Sequence, residues 1–91
     1  RIDDFVLLGT QGEPFVEIGL GAKQRSKAAH TMFAGYVNGA LGYVPTAQTV
    51  RQGGMSVSSA VRTYNLPASP AENAASSLVD GFGKLLEELG L

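Results

Sequence analysis

The hydrophobic and polar positions near the start of the chain predict a strand followed by a helix. Residues 5–9 form an unbroken apolar run, which is typical of a parallel strand buried on both faces. A turn follows, and Pro14 suits the first position of a helix that carries apolar residues at helical spacing and ends near Arg25. Gly19 and Gly21 would each cost this helix about 1 kcal/mol relative to alanine. We therefore expect both glycines to pack closely against a neighbouring element.

The next stretch predicts a β-hairpin. Residues 30–37 are rich in strand formers, and the pair Asn38-Gly39 that follows is a strong hairpin signal because both residue types accept positive φ. Residues 41–44 would form the returning strand, and Pro45 would end it because proline cannot donate to a strand ladder.

Two shorter segments come next. Thr46 is placed to cap a short helix that runs to about Gln52, where two glycines stop it. Residues 55–64 alternate weakly and are rich in serine, so we expect them to be extended.

The last segment has the strongest helical pattern. Residues 69–72 (SPAE) match a capping box with proline at the first helical position, and Gly90 lies where a helix commonly ends. One apolar stripe runs along the predicted helix: Ala71, Ala74, Ala75, Leu78, Phe82, Leu85, Leu86 and Leu89.

This order of elements predicts a two-layer α/β fold with a small mixed sheet of about three to four strands and three helices. The first two strands are joined through a helix, so we expect them to be parallel with a right-handed crossover.

The composition suggests that this fold is one part of a larger body. Charged residues make up 16% of the 91 positions, against roughly 25% in ordinary globular domains. A small domain has the most surface per residue to cover with polar groups. Together with a first residue other than Met, this predicts that residues 1–91 are a single partial domain cut from a larger one. We also expect the isolated chain to expose apolar surface and to self-associate.

Charge and residue usage exclude several classes of function. A net charge of −1 argues against a nucleic-acid or anionic-membrane partner. The chain has no Cys and one His, which excludes a disulfide scaffold, a thiol nucleophile and a His-rich metal centre of its own. No apolar run reaches the roughly 18 residues of a membrane span, and the first residues do not show the basic region and apolar stretch typical of a secretory signal.

Candidate chemistry is sparse. The sequence contains no P-loop, no complete dinucleotide fingerprint, no HExxH and no GxSxG motif. The single His30 begins a predicted strand, where a hydrogen-bonded structural role is the commoner one. Glu13 lies between the first strand and the first helix, at the edge where α/β sheets bind ligands. A favourable charge at the helix N-terminus is the commoner role for such a residue. Tyr43 ends a predicted strand, where a half-buried aromatic residue is ordinary.

Several ordered motifs nevertheless resemble one family. They are GEPFVEIGL (residues 12–20), GYVNG (35–39), GYVPTA (42–47) and QGG (52–54). In this order they resemble the neutral/alkaline (non-lysosomal) ceramidase family, most closely its bacterial ceramidase-like branch. The chain looks like the C-terminal part of the large N-terminal catalytic domain.

The resemblance implies a zinc-dependent amidohydrolase that cleaves the N-acyl amide of ceramide or a related lipid amide with metal-activated water. In that family, two His from earlier in the domain, a Glu in a Gly-Glu segment and a Tyr before a Thr-rich turn hold the zinc. On this chain the last two are Glu13 and Tyr43, with Glu17 as a rival for Glu13. Tyr43 would bind the metal directly or would act in catalysis by donating a hydrogen bond to the oxyanion.

The implied partners are the remainder of the same catalytic domain and the lipid amide substrate. Two alternatives stay open. One is a non-catalytic α/β interaction module whose apolar surface docks a partner, and the other is a family member that keeps the fold without the metal.

Overall fold

The computed structural model describes the backbone of residues 1–91 and every side chain except that of Ser56. Within the described chain, strands and helices alternate at first and helices alone follow. The elements are β1 (Phe5–Gly9), β2 (Glu13–Pro14), α1 (Val16–Arg25), β3 (His30–Ala34), β4 (Tyr43–Val44), α2 (Ala47–Gln52), α3 (Met55–Ser58), α4 (Ala60–Thr63) and α5 (Ala74–Glu88).

Strands β1 and β3 form a parallel pair that α1 connects, as predicted. Their side chains alternate between two faces. Val6 and Leu8 are buried on the face that meets the helices, whereas Leu7 and its register partner Met32 are each 55% exposed on the opposite face. The prediction of a strand buried on both faces is therefore wrong for this chain, because the helices cover one face of the sheet.

The core lies between this sheet and the helices α1 and α5. Ring centroids of Phe33 and Phe82 lie 5.4 Å apart in an edge-to-face arrangement, which joins β3 to α5. The sheet and the helices form two layers, so the predicted two-layer α/β class is confirmed. The buried cluster comprises Val6, Leu8, Ala22, Phe82 and Leu86.

The predicted hairpin is wrong, although its turn residues behave as expected. Asn38 and Gly39 have positive φ of 61° and 150°. The Gly39 carbonyl, however, accepts from the backbone of Gly12, and the Gly42 carbonyl accepts from the backbone of Glu13. The loop thus closes onto the segment after β1, and β4 pairs in parallel with β2. Two separate two-stranded parallel sheets replace the predicted mixed sheet.

Helix α1 begins two residues later than predicted, because Pro14 belongs to β2. Its glycines do pack closely. A Cβ on Gly19 would lie 3.0 Å from Cδ1 of Phe33, and one on Gly21 would lie 3.3 Å from Cγ2 of Val79. These contacts explain why residues with low helix propensity stand inside the helix.

Helix α2 is confirmed with its cap, since Thr46 Oγ1 accepts from the Thr49 backbone over 3.2 Å. The segment predicted to be extended instead forms α3 and α4. Val57 in α3 and Ala60 in α4 are both buried. Burial of these two apolar side chains favours the helical conformation of a serine-rich segment.

Helix α5 starts at Ala74, after the predicted capping box. Within that box, the Glu72 carboxylate lies 3.6 Å from an Arg51 guanidinium nitrogen, in a surface ion pair. The predicted apolar stripe is buried at its centre and exposed at its margin. Gly90 follows the helix with φ of 74°, as expected of a terminating glycine. Among the described residues, none of the helices has the length and apolarity needed to cross a membrane.

Candidate functional site

Strands β2 and β4 bring the two candidate residues together. Glu13 and Tyr43 are register partners on these parallel strands. The Glu13 backbone nitrogen donates to the Gly42 carbonyl over 2.8 Å, and the Phe15 nitrogen donates to the Val44 carbonyl over 3.1 Å. Register partners of neighbouring strands project their side chains from the same face. The carboxylate and the phenol, thirty positions apart in sequence, therefore converge.

Two glycines make this pairing possible. Gly12 and Gly42 have φ of 78° and 111°, in the region that side chains disfavour. The two chains also approach so closely that a Cβ on Gly12 would lie 2.7 Å from the Gly42 carbonyl oxygen. A larger residue at Gly12 would force the two strands apart, whereas one at Gly42 would press against Leu66 and Tyr64.

The pair lies beyond the carboxyl ends of the main sheet. Glu13 follows the last residue of β1 by four positions, and Tyr36 follows the last residue of β3 by two. The two loops are joined, since the Tyr36 nitrogen donates to the Gly12 carbonyl over 2.8 Å. This is the edge at which α/β proteins place ligands.

Three phenols surround the Glu13 carboxylate. The Tyr64 hydroxyl donates to Glu13 Oε2 over 3.2 Å. The Tyr43 ring packs edge-to-face between two others, with its centroid 5.9 Å from that of Tyr64 and 6.5 Å from that of Phe15. Aromatic packing thus fixes the orientation of the phenol next to the acid.

The carboxylate also controls the ionisation of its neighbours. A side-chain hydrogen bond with Glu13, with desolvation adding to it, raises the pKa of Tyr36 well above its ordinary value. The charge of Glu13, followed by desolvation, raises the pKa of Tyr43. Ionisation of either phenol would place a second negative charge beside the first. Both groups are therefore neutral hydrogen-bond donors at neutral pH.

Two grooves flank the site, and Phe15 lines both. One groove of about 300 Å³ runs from Glu13 and Tyr36 along α1, with Leu20 and Phe33 among its apolar walls. The other, of about 310 Å³, lies beside Tyr43 and the helices α3 and α4. The polar cluster is thus bordered on both sides by apolar surface.

The other candidates lie elsewhere. Glu17 is exposed in the first turn of α1 and lines a separate depression near Asp80. His30 is the first residue of β3, at the end of the main sheet away from Glu13. The structure therefore joins Glu13 with Tyr43 and leaves out both Glu17 and His30.

The donor set fits part of a zinc site. Zinc accepts carboxylate oxygen and is almost always held by at least three protein ligands. Glu13 supplies such an oxygen, and Tyr43 places a phenol oxygen on the same face. Among the described residues, no three His, Cys, Asp or Glu side chains are grouped to hold a metal. Any zinc bound here would need further ligands from outside this chain.

Sequence reasoning missed two members of the cluster. Tyr36 lies in the GYVNG motif, but it was predicted only as part of the strand over residues 30–37 and was given no role at the site. Tyr64 lies in the segment that was predicted to be extended, and it reaches Glu13 because α3 and α4 fold that segment back. No local sequence signal marks such a long-range contact.

Comparisons with protein-family models, with curated proteins and with solved structures found no match to this chain.

Proposed function

We propose that this chain carries half of the active site of a zinc-dependent amidohydrolase resembling the neutral ceramidases. The observation that supports the proposal best is the pairing of Glu13 with Tyr43 on neighbouring parallel strands. These are the two residues to which the resemblance assigns roles. Both side chains lie beyond the carboxyl ends of the main sheet, where α/β proteins bind ligands.

The residues of this chain have distinct parts in the proposed reaction. Glu13 offers a carboxylate oxygen to the metal, and the Tyr64 hydroxyl orients that carboxylate through Oε2. Such supporting hydrogen bonds commonly hold metal-binding carboxylates in place. Zinc, when bound, polarises a carbonyl and lowers the pKa of a coordinated water toward about 7.

Tyr43 has two proposed roles, which differ in what the hydroxyl contacts. It either binds the metal or donates a hydrogen bond to the oxygen of the amide carbonyl as negative charge develops there. Aromatic packing against Phe15 and Tyr64 keeps the hydroxyl in place for either role.

The surroundings of the site favour an amide with an apolar substituent. The groove beside Glu13 has apolar walls that include Phe15, Leu20 and Phe33, and its volume of about 300 Å³ suits a lipid-like group. We therefore propose the N-acyl amide of ceramide, or a related lipid amide, as the substrate.

Metal content tests this proposal. The intact gene product that contains this chain is purified with zinc present, and its zinc is measured by mass spectrometry alongside that of Glu13→Gln and Glu17→Gln. We expect Glu13→Gln to lose zinc and amidase activity and Glu17→Gln to keep both. Equal zinc content in the wild type and Glu13→Gln would refute the proposal, and a protein that binds no zinc would be the metal-free alternative.

A second variant separates the two roles of Tyr43. Tyr43→Phe should lose zinc if the hydroxyl binds the metal. If the hydroxyl stabilises the oxyanion, the variant should keep its zinc and lose about 10²–10³-fold in kcat, as expected for loss of one oxyanion donor.

A further inference from the structure

Three aromatic rings from different elements line the groove beside Tyr43. Phe15 precedes α1, Tyr43 lies in β4, and Tyr64 follows α4. The plane of the Tyr43 ring is nearly perpendicular to the other two, with interplanar angles of 89° to Phe15 and 86° to Tyr64. All three side chains are half-buried, so solvent reaches them. The rings therefore form walls of different orientation around a space of about 310 Å³.

A negative charge lies next to these walls without a cation to accompany it. The Glu13 carboxylate accepts a hydrogen bond from the Tyr64 hydroxyl. Neither of the two ion pairs in the described chain includes Glu13. Among the described residues that line the groove there is no Lys or Arg. The groove therefore favours a positively charged ligand.

The aromatic walls select the kind of cation. Ring faces carry a negative electrostatic potential, and cages of several rings are the usual binding site of quaternary ammonium groups. Such a group presents its charge through a surface of methyl groups. That surface matches the side chains of Met55 and Ala60, which complete the apolar part of the lining.

Two hydroxyl groups line the same groove, those of Ser59 and Thr63. The Thr63 hydroxyl donates to the Ser59 carbonyl over 3.1 Å, so its oxygen still has lone pairs that can accept a hydrogen bond. A ligand with a hydroxyl of its own can donate to either residue. The volume of about 310 Å³ is at the lower end of the range for small-molecule sites, which favours a ligand of few atoms.

We propose that the groove lined by Phe15, Tyr43 and Tyr64 binds a small quaternary ammonium alcohol of the choline type. The ammonium group lies against the three rings on the side of Glu13, and the ligand hydroxyl donates to Ser59 or Thr63. The site uses ring faces and needs no metal, so it is independent of the proposed hydrolysis.

Choline and its uncharged isostere 3,3-dimethyl-1-butanol test the proposal. The two compounds share their shape and their hydroxyl and differ in the charge of the central atom. Each is titrated into the whole chain in the presence of a chelator, and the dissociation constant is obtained from NMR shifts of the aromatic protons. We expect choline to bind about tenfold more tightly, with nuclear Overhauser contacts from its methyl protons to the rings of Tyr43 and Tyr64. Equal affinities, or no saturable shift with choline in large excess, would overturn the proposal.

Phosphocholine distinguishes the free alcohol from a lipid headgroup of the same chemistry. Its phosphate removes the hydroxyl donor and brings a negative charge beside Glu13, into a groove whose described lining has no Lys or Arg. We therefore expect it to bind more weakly than choline. Tighter binding of phosphocholine would overturn the assignment to a free alcohol.

Tyr64→Leu and Tyr36→Leu are a matched pair of variants. Each removes a phenol beside Glu13, but Tyr64 lines this groove, whereas Tyr36 lines the groove along α1. We expect Tyr64→Leu to weaken choline binding about tenfold, and Tyr64→Phe, which keeps the ring, to retain most of the affinity. Tyr36→Leu should leave the affinity unchanged, and the ring signals of Phe33 and Phe82 in the core report whether each variant is folded. Loss of binding in a folded Tyr36→Leu with full binding in Tyr64→Leu would place the ligand in the other groove and overturn the proposal.

Discussion

The Tyr64 hydroxyl donates a hydrogen bond to Glu13 Oε2 over 3.2 Å and so links the end of α4 to β2. These residues lie 51 positions apart in the sequence. The contact brings the helices α3 and α4 over the candidate site and places the Tyr64 ring edge-to-face with Tyr43. A carboxylate that is held from outside its own strand is better oriented for a ligand than one that is free to rotate.

Tyr64→Phe should weaken this arrangement. Loss of a partly buried hydrogen bond typically lowers the free energy of unfolding by about 1 kcal/mol. Urea denaturation measures this loss. In the Glu13→Ala background, Tyr64→Phe should lower the free energy of unfolding by clearly less, because the hydrogen-bond acceptor is already absent. Equal costs in the two backgrounds would show that the hydrogen bond contributes nothing.

Gly12→Ala should separate β2 from β4. The added Cβ would lie 2.7 Å from the Gly42 carbonyl oxygen, at a residue with φ of 78°. Gly53→Ala is the matched control, because Gly53 has a similar φ of 72° and no atom within 4 Å of the added Cβ. Both variants place a side chain at a positive φ and share that backbone strain. Only the Gly12→Ala side chain also presses on Gly42, the neighbour of Tyr43, so only this variant should shift the NMR signals of Tyr43. Similar spectra for the two variants would contradict the close approach of the strands.

Stability should fall in alkaline solution. Glu13 raises the pKa of both Tyr36 and Tyr43 in the folded chain above the value of about 10 expected when unfolded. Below pH 10 the folded and the unfolded chain both keep these protons, so the two tyrosines make their full contribution to the free energy of unfolding. Above pH 10 the unfolded chain releases them first, and the free energy of unfolding falls as pH rises toward the folded-state values.

Glu13→Gln provides the control for this pH dependence. The variant removes the main cause of both raised pKa values, so its tyrosines should ionise at lower pH in an absorbance titration of tyrosinate. Its stability should also decline less steeply above pH 10. Titration curves that coincide for the wild type and Glu13→Gln would contradict the proposed electrostatics.

Neighbouring leucines on α5 should differ sharply in their contribution to stability. Leu86 is 1% exposed, whereas Leu85 is 54% exposed. Leu86→Ala should lower the free energy of unfolding by about 2–5 kcal/mol, because it leaves a cavity in the core. Leu85→Ala should change it by about 0.5 kcal/mol or less. Thermal or urea denaturation compares the two, and similar losses would contradict the assigned helix orientation.

The fold class and the main strand pair followed from local patterns. The apolar run at residues 5–9 and the helix after it were sufficient to predict a parallel β1–β3 pair, because a short helical crossover permits few alternatives. Thr46 and Gly90 marked helix ends through side-chain capping and positive φ, which are both local effects.

Pairing between distant segments could not be predicted in the same way. The Asn38-Gly39 turn has the φ signs of a hairpin, but its neighbours bond to the loop after β1. That choice depends on the close approach of Gly12 and Gly42, which no periodicity reveals. The meeting of Glu13 and Tyr43 was predicted, whereas the recruitment of Tyr36 and Tyr64 depended on loop closure and on the unexpected helices α3 and α4.

We propose above that Glu13 and Tyr43 belong to one zinc site. Crystals of the intact, zinc-loaded gene product would test it most directly through anomalous scattering at the zinc edge. We expect an anomalous peak about 2.0–2.2 Å from a carboxylate oxygen of Glu13, with the Tyr43 hydroxyl beside it. A zinc peak remote from both residues, or full zinc loading elsewhere in the protein, would contradict it.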